Sequence, residues 1–228
     1  GNQAGDIRPP QLEEPMITLH YAPGACSIAA HIVLEEIGQP FEARPISLRK
    51  GQQRDPGYLA INPRGKVPAL VTAEGVLTEN VAILTYLAEI APEKGLLPRE
   101  GFARAQALSW LGFLTSEMHG SYGPLFAPQK FIDGEEAQAA LKEKARARLA
   151  GNLADVDARL AGRDWALGDF SVVDAYLYPF FHWAKAYMGF DMTAYPNYSA
   201  HHARMQARPA VQRVLEREAA AQAQLEAA

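Results

Sequence analysis

The sequence predicts a small α/β layer followed by a larger all-α domain, and three observations carry that reading. Up to Ile90, strand-period alternation and helix-period stripes take turns along the chain. From Pro92 to Gly101 a stretch rich in Pro, Gly and charge interrupts the pattern. Beyond it every apolar stripe has helical spacing, and no strand signal returns.

Ile17, Leu19 and Tyr21 alternate with Thr18 and His20, the period of a half-buried strand. Pro23-Gly24 makes a turn. Ala25 to Ile37 then reads as a helix with Ile28, Ile32, Val33 and Ile37 inward, stopped by Gly38. Phe41 to Leu48 reads as a second strand, and Pro45 assigns it to a sheet edge. A polar loop over 49–57 and a short helix from Pro56 to Ile61 follow. Lys66 to Val71 is the third expected strand. Glu74-Gly75 is the expected hairpin turn, with Val76-Leu77 on the return. Val81, Leu84, Leu87 and Ile90 form a helical stripe.

In the second half, Phe102 to Tyr122 is expected to be helical and to break or kink at Gly123-Pro124. Glu135 to Leu160 and Ser171 to Tyr187 are two further helices. Ser171 and Asp174 form a capping box on the latter. Ser199 to Ala207 and Ala210 onward close the chain, with fraying expected beyond Ala219. The domains therefore run 16–92 and 102–228. Residues 1–15 read as a disordered leader or an expression remnant, with Met16 as the native start.

The 228 residues are 48% hydrophobic and 21% charged, the balance of a globular chain with a core. A net charge of -4 offers no basic excess for phosphate, so a nucleic-acid partner is disfavoured. No apolar run has the ~18–20 residues of a membrane span, and no signal peptide is visible. The expected compartment is the cytoplasm, where the single cysteine, Cys26, stays reduced.

Cys26 is the first chemical candidate. It follows a strand and a Pro-Gly turn and falls in the opening turn of a helix, where free amides favour thiolate over thiol. The structural alternative is a small core residue. Tyr21 and Ser27 offer hydroxyls nearby, or else pack in a strand and cap a helix. Thr78-Glu79-Asn80 feeds the third helix; local pattern favours plain capping there, with Asn or Thr as the cap. His119 lies on a helix near Ser116. His201-His202 point about 100° apart on a helix, which makes them poor metal co-ligands.

Four stretches are more specific together than apart: YAPGACSIAAHIVLEEIG (21–38), INPRGKVPAL (61–70), LTENVAILTYLA (77–88) and FSVVDAYLYP (170–179). In this order and spacing, Met16 to Glu218 resembles the cytosolic glutathione transferases. PGACS, followed by SEMH at 116–119, resembles their bacterial beta class.

The resemblance implies an N-terminal thioredoxin-like domain followed by an all-helical domain, with glutathione as co-substrate and no metal. Cys26, Tyr21 and His119 are then the catalytic candidates. Cys26, Ser27, Lys50, Val67, Pro68, Glu79, Asn80, Ser116 and His119 would bind glutathione. Pro68 would be a cis-proline presenting the Val67 backbone, and Cys26 would be able to form a mixed disulfide. Trp110, Phe113, Phe181 and Trp183 would wall the second-substrate site. Ser171 and Asp174 match the family's folding box. The chain departs from relatives that carry Asn at Gly112 and Lys at Gly120.

The implied function is transfer of the glutathione thiolate to a small electrophile, or exchange with a disulfide through Cys26. The implied state is a homodimer without nucleic-acid or membrane partners. Two alternatives stand beside it: a non-catalytic glutathione carrier, and a glutathione-dependent isomerase or dehalogenase.

Overall fold

A computed structural model describes residues 17–228. The readings of 1–15 as a leader or remnant, and of Met16 as the start, lie outside the described residues. Strands β1 (Ile17–Tyr21) and β2 (Glu42–Pro45) are parallel, joined by helix α1 (Ile28–Ile37). After the short α2 (Pro56–Leu59), β3 (Ala69–Thr72) pairs antiparallel with β1, and β4 (Gly75–Thr78) pairs antiparallel with β3. The order β2-β1-β3-β4 leaves Pro45 on an edge strand, where a missing N–H is tolerated. Helix α3 (Asn80–Ile90) completes the thioredoxin-like layer.

Some boundaries move, for local reasons. Ala25 to Ser27 form turns, so α1 begins at Ile28. Strand β3 begins at Ala69 rather than Lys66, because the Val67-Pro68 bond is cis and proline has no N–H for the ladder. Ala73-Glu74 forms the hairpin turn, and Gly75 already belongs to β4.

The helical domain contains α4 (Gly101–Phe113), a wide π-type turn (Leu114–Met118), α5 (His119–Phe126), α6 (Glu135–Leu160), α7 (Val172–Ala186), α8 (Pro196–Gln206) and α9 (Pro209–Ala227). Pro124 does not end α5. It sits in the last turn, forfeits one hydrogen bond, and the helix runs on to Phe126. Helix α8 starts at Pro196 rather than Ser199, with proline in its first turn. The tail does not fray at Ala219. Ala221 is buried, and the Lys50 ammonium donates to the Leu225 carbonyl at 2.6 Å, so α9 stays docked.

Helix α1 is the keystone. It packs on β1 and α3 within the sheet layer and on α7 and α9 across it. Eight of its ten residues are buried, so it is apolar almost all round rather than striped. Helix α7 is buried in the same way and is anchored by its capping box. Ser171 Oγ accepts from the Val173 N–H at 3.2 Å, and Asp174 Oδ2 accepts from the Ser171 N–H at 2.9 Å. The other Asp174 oxygen accepts from the Ala166 N–H and pairs with His201 Nε2. His202 stacks on Phe181, so the two histidines serve the core separately.

Candidate active site

Cys26 sits where the β1–α1 turn meets the start of β3. Its thiol donates to the Val67 carbonyl at 3.6 Å, directly before cis Pro68. The turn is held from the helical domain at both of its Gly24 backbone groups. Trp183 Nε1 donates to the Gly24 carbonyl at 2.9 Å, and Glu218 Oε1 accepts from the Gly24 N–H at 3.0 Å. The buried Glu218 carboxylate also pairs with His31 Nδ1 at 2.7 Å, on α1. Gly24 has φ +73°, a conformation that favours glycine.

Two adjoining cavities share Cys26, Lys66, Val67 and His119. The smaller, ≈ 280 Å³, reaches toward Glu79, Asn80, Thr115 and Tyr176. The larger, ≈ 520 Å³, opens between the domains toward Phe126, Lys130, Trp183 and Tyr187.

The smaller cavity ends on the N-terminus of α3. The cap position is Glu79, not Asn80 or Thr78, and no side chain caps the helix. Its first amides are therefore left for a ligand carboxylate. Glu79 itself has φ +72°, a conformation that costs a non-glycine residue about 1–3 kcal/mol and clusters at functional sites. Its carboxylate meets Arg64 at 3.2 Å. Asn80 Nδ2 donates to the Cys26 carbonyl at 3.2 Å, while buried Asn80 Oδ1 has no hydrogen-bond partner. That acceptor is available to an ammonium.

Electrostatics correct one expectation about Cys26. Burial pushes its thiol up to about 12, against weaker opposing help from its own backbone and Asn80. Glu79 adds a like charge, and Lys66 partly offsets it. The thiol form therefore prevails over thiolate: Cys26 precedes α1 instead of joining its first turn, and desolvation outweighs the amides. His119 is lowered from its ordinary value, first by burial and then by the Lys66 charge, so it is neutral at pH 7. Its ring packs on Phe180 and Trp183.

The structure brings together Cys26, Val67, Pro68, Glu79, Asn80, His119 and Trp183. Others named from the sequence lie apart. Tyr21 is buried against His31, and burial, with Glu218 nearby, raises its hydroxyl to about 12. Ser27 Oγ is spent on the Ala22 N–H and carbonyl. Lys50 lines neither cavity and holds α9 instead. Ser116 Oγ turns back to the Gly112 carbonyl at 2.9 Å. The π-type turn brings Thr115, four residues before His119, into the wall in its place. Trp110 lies under the Arg159 guanidinium, 3.4 Å from its ring centroid, and packs edge-on against Phe113, on a face outside both cavities. Phe181 is core against Tyr198 and His202.

Sequence reasoning missed Lys66, Thr115, Phe126, Lys130, Tyr176 and Tyr187. Tyr176 is buried on α7, and its hydroxyl bonds Thr115 Oγ1 at 3.0 Å in the cavity wall. Lys66, one residue before Val67, carried the only readable signal.

A four-stranded thioredoxin-like layer with a cysteine beside a cis-proline, closed by a helical domain, defines the class as a thiol-handling two-domain protein. The chain belongs to the glutathione S-transferase family. The family's N-terminal domain matches residues 14–89, and its C-terminal domain matches residues 125–204. Glutathione S-transferase GstA of Escherichia coli O157:H7 is 36% identical over 204 residues, covering 88% of this chain and 98% of the relative. A solved beta-class glutathione S-transferase of Sphingomonas chungbukensis is 40% identical, with TM-score 0.77, covering 88% of this chain and 98% of that one. A Sulfitobacter glutathione transferase homologue with bound glutathione is 32% identical, with TM-score 0.83, covering 89% and 98%.

Among the described residues, no group of three or more His, Cys, Asp or Glu could hold a metal ion. Among the same residues, no helix is long and apolar enough to cross a membrane.

Proposed function

We propose that this chain binds glutathione across the smaller cavity and transfers its sulfur to an electrophile held in the larger one. One observation carries this reading. A cysteine thiol, a strand-like backbone carbonyl, an uncapped helix N-terminus and an orphan acceptor line one cavity that opens onto an aromatic one. Those groups match the γ-glutamyl and cysteinyl parts of the tripeptide.

The γ-glutamyl carboxylate takes the first amides of α3, and its ammonium lies between Glu79 and Asn80 Oδ1. The cysteinyl backbone pairs with Val67. That pairing occupies the Val67 carbonyl and frees the Cys26 S–H to donate to the glutathione sulfur. Glutathione's own thiol is then the one that ionises. Neutral His119, which lines both cavities, takes its proton, and the thiolate attacks across the shared wall. With a disulfide as the second substrate, the same contact with Cys26 permits thiol–disulfide exchange.

The domain limits that fit this division are 16–92 and 102–228. A cytoplasmic location suits an unpaired thiol at the centre of the site. A second copy of the chain is the partner we assign to exposed apolar residues such as Phe102 and Val76.

Calorimetry with glutathione and turnover of 1-chloro-2,4-dinitrobenzene test the reading. Glu79→Ala should weaken binding by ~1–2 kcal/mol, the lower end of a charge-assisted contact because Glu79 is solvent-exposed. Cys26→Ala should bind glutathione and lose exchange with hydroxyethyl disulfide. Absence of glutathione binding at millimolar concentration would refute the reading.

A further inference from the structure

We propose that the larger cavity selects planar aromatic electrophiles that carry a negative charge, and that Lys130 is the residue that reads that charge. The inference rests on the transferase reading above. Three features of the cavity point to it.

The first is its wall. Phe126 and Tyr187 are half exposed, and their rings meet at 6.1 Å, with Trp183 5.5 Å from Phe126. Trp183 is fixed by its bond to Gly24, so the ring surface is preorganised for a flat apolar partner. The second is its charge. Lys66 and Lys130 line the ≈ 520 Å³ space, and neither Asp nor Glu does. Neither ammonium has a carboxylate within salt-bridge distance among the described residues. The third is placement. Lys66 lines both cavities, at the point where tripeptide and electrophile meet, whereas Lys130 lines the larger one alone. Lys130 ends a short 3-10 turn after α5, Pro128–Lys130, so it comes from the helical domain, opposite the glutathione groups.

For an aryl chloride bearing a carboxylate, the step is substitution on the ring. The glutathione sulfur forms a bond to the carbon that bears chlorine. Chloride leaves with the bonding electron pair, and the thiol proton passes by way of His119 to solvent. The substrate carboxylate faces Lys130, away from the reacting carbon. Such a contact is equally strong in the ground and transition states, so it acts on KM rather than kcat.

The test compares 4-chloro-3,5-dinitrobenzoate with neutral 1-chloro-2,4-dinitrobenzene in the wild type, Lys130→Met and Lys130→Glu. The reading is the ratio of their kcat/KM values, acid over neutral. Lys130→Met should lower that ratio about three- to fivefold, through KM, as for an exposed charge pair. Lys130→Glu should lower it further, and both effects should shrink in 0.5 M salt. An unchanged ratio in both variants, with the neutral arene still turned over, would overturn the role of Lys130 and leave the transferase reading standing. Turnover of neither arene by the wild type would overturn both.

Discussion

In the ligand-free protein, Cys26 should behave as a dormant thiol. Burial pushes its pKa up to about 12, whereas a free cysteine titrates near 8.5. At pH 7.5 a free cysteine is about one-tenth thiolate, and a thiol of pKa 12 is thiolate only about 0.003% of the time. Ionisation alone therefore slows alkylation by about three orders of magnitude. The assay is pseudo-first-order iodoacetamide labelling followed by intact mass, with free glutathione and the urea-unfolded chain as controls. Burial also limits access, so the diagnostic is the slope: the rate should rise about tenfold per pH unit from pH 7 to 10, without a plateau. A plateau below pH 8, or labelling at the free-thiol rate, would refute the argument and restore a stabilised thiolate. The same shift has a stability consequence of known sign. The native state keeps the proton that the unfolded chain releases, so stability is full below about pH 8.5 and is lost as pH rises toward 12. Between pH 8 and 10 the wild type should lose about 1–2 kcal/mol more than Cys26→Ala, by urea denaturation.

Three further outcomes follow from the contacts around the site. Asp174→Ala strands the Ala166 and Ser171 amides and buried His201, and should cost about 3–5 kcal/mol. An unaltered thermal melt would contradict that. Trp183→Phe removes the bond to the Gly24 carbonyl for about 1 kcal/mol, and amide exchange over 24–27 should quicken; equal protection would mean that the indole does not hold the turn. Because His119 is lowered from 6.5, it remains a proton acceptor below that pH. The acid limb of kcat/KM for conjugation should fall below pH 6.5 and change in His119→Gln; an identical limb in that variant would assign the proton elsewhere.

Several site residues were legible because their type and position suffice. Glu79 and Asn80 read locally as plain capping and entered only through the family resemblance, whereas a cysteine after a strand and a Pro-Gly turn is a local fact. So are Ser171 and Asp174, whose box closes within one helical turn. The misreadings have more than one cause. Ser116 lies inside the π-type turn at Leu114–Met118, which no period of 3.6 anticipates, and Trp110 is covered by Arg159 of α6. The ammonium of Lys50, expected to meet a ligand, is taken by α9, 175 residues further along the chain.

Strand and helix periods, the Pro-Gly turn and the long interrupted linker determined the two-layer plan and the position of the thiol, because backbone sterics and apolar spacing act over a few residues. Tertiary packing decided the chemistry of that thiol. Enclosure by Val67, Asn80 and the helical domain removes the water that a thiolate needs, and solvation is a property of the assembled surroundings, not of the segment.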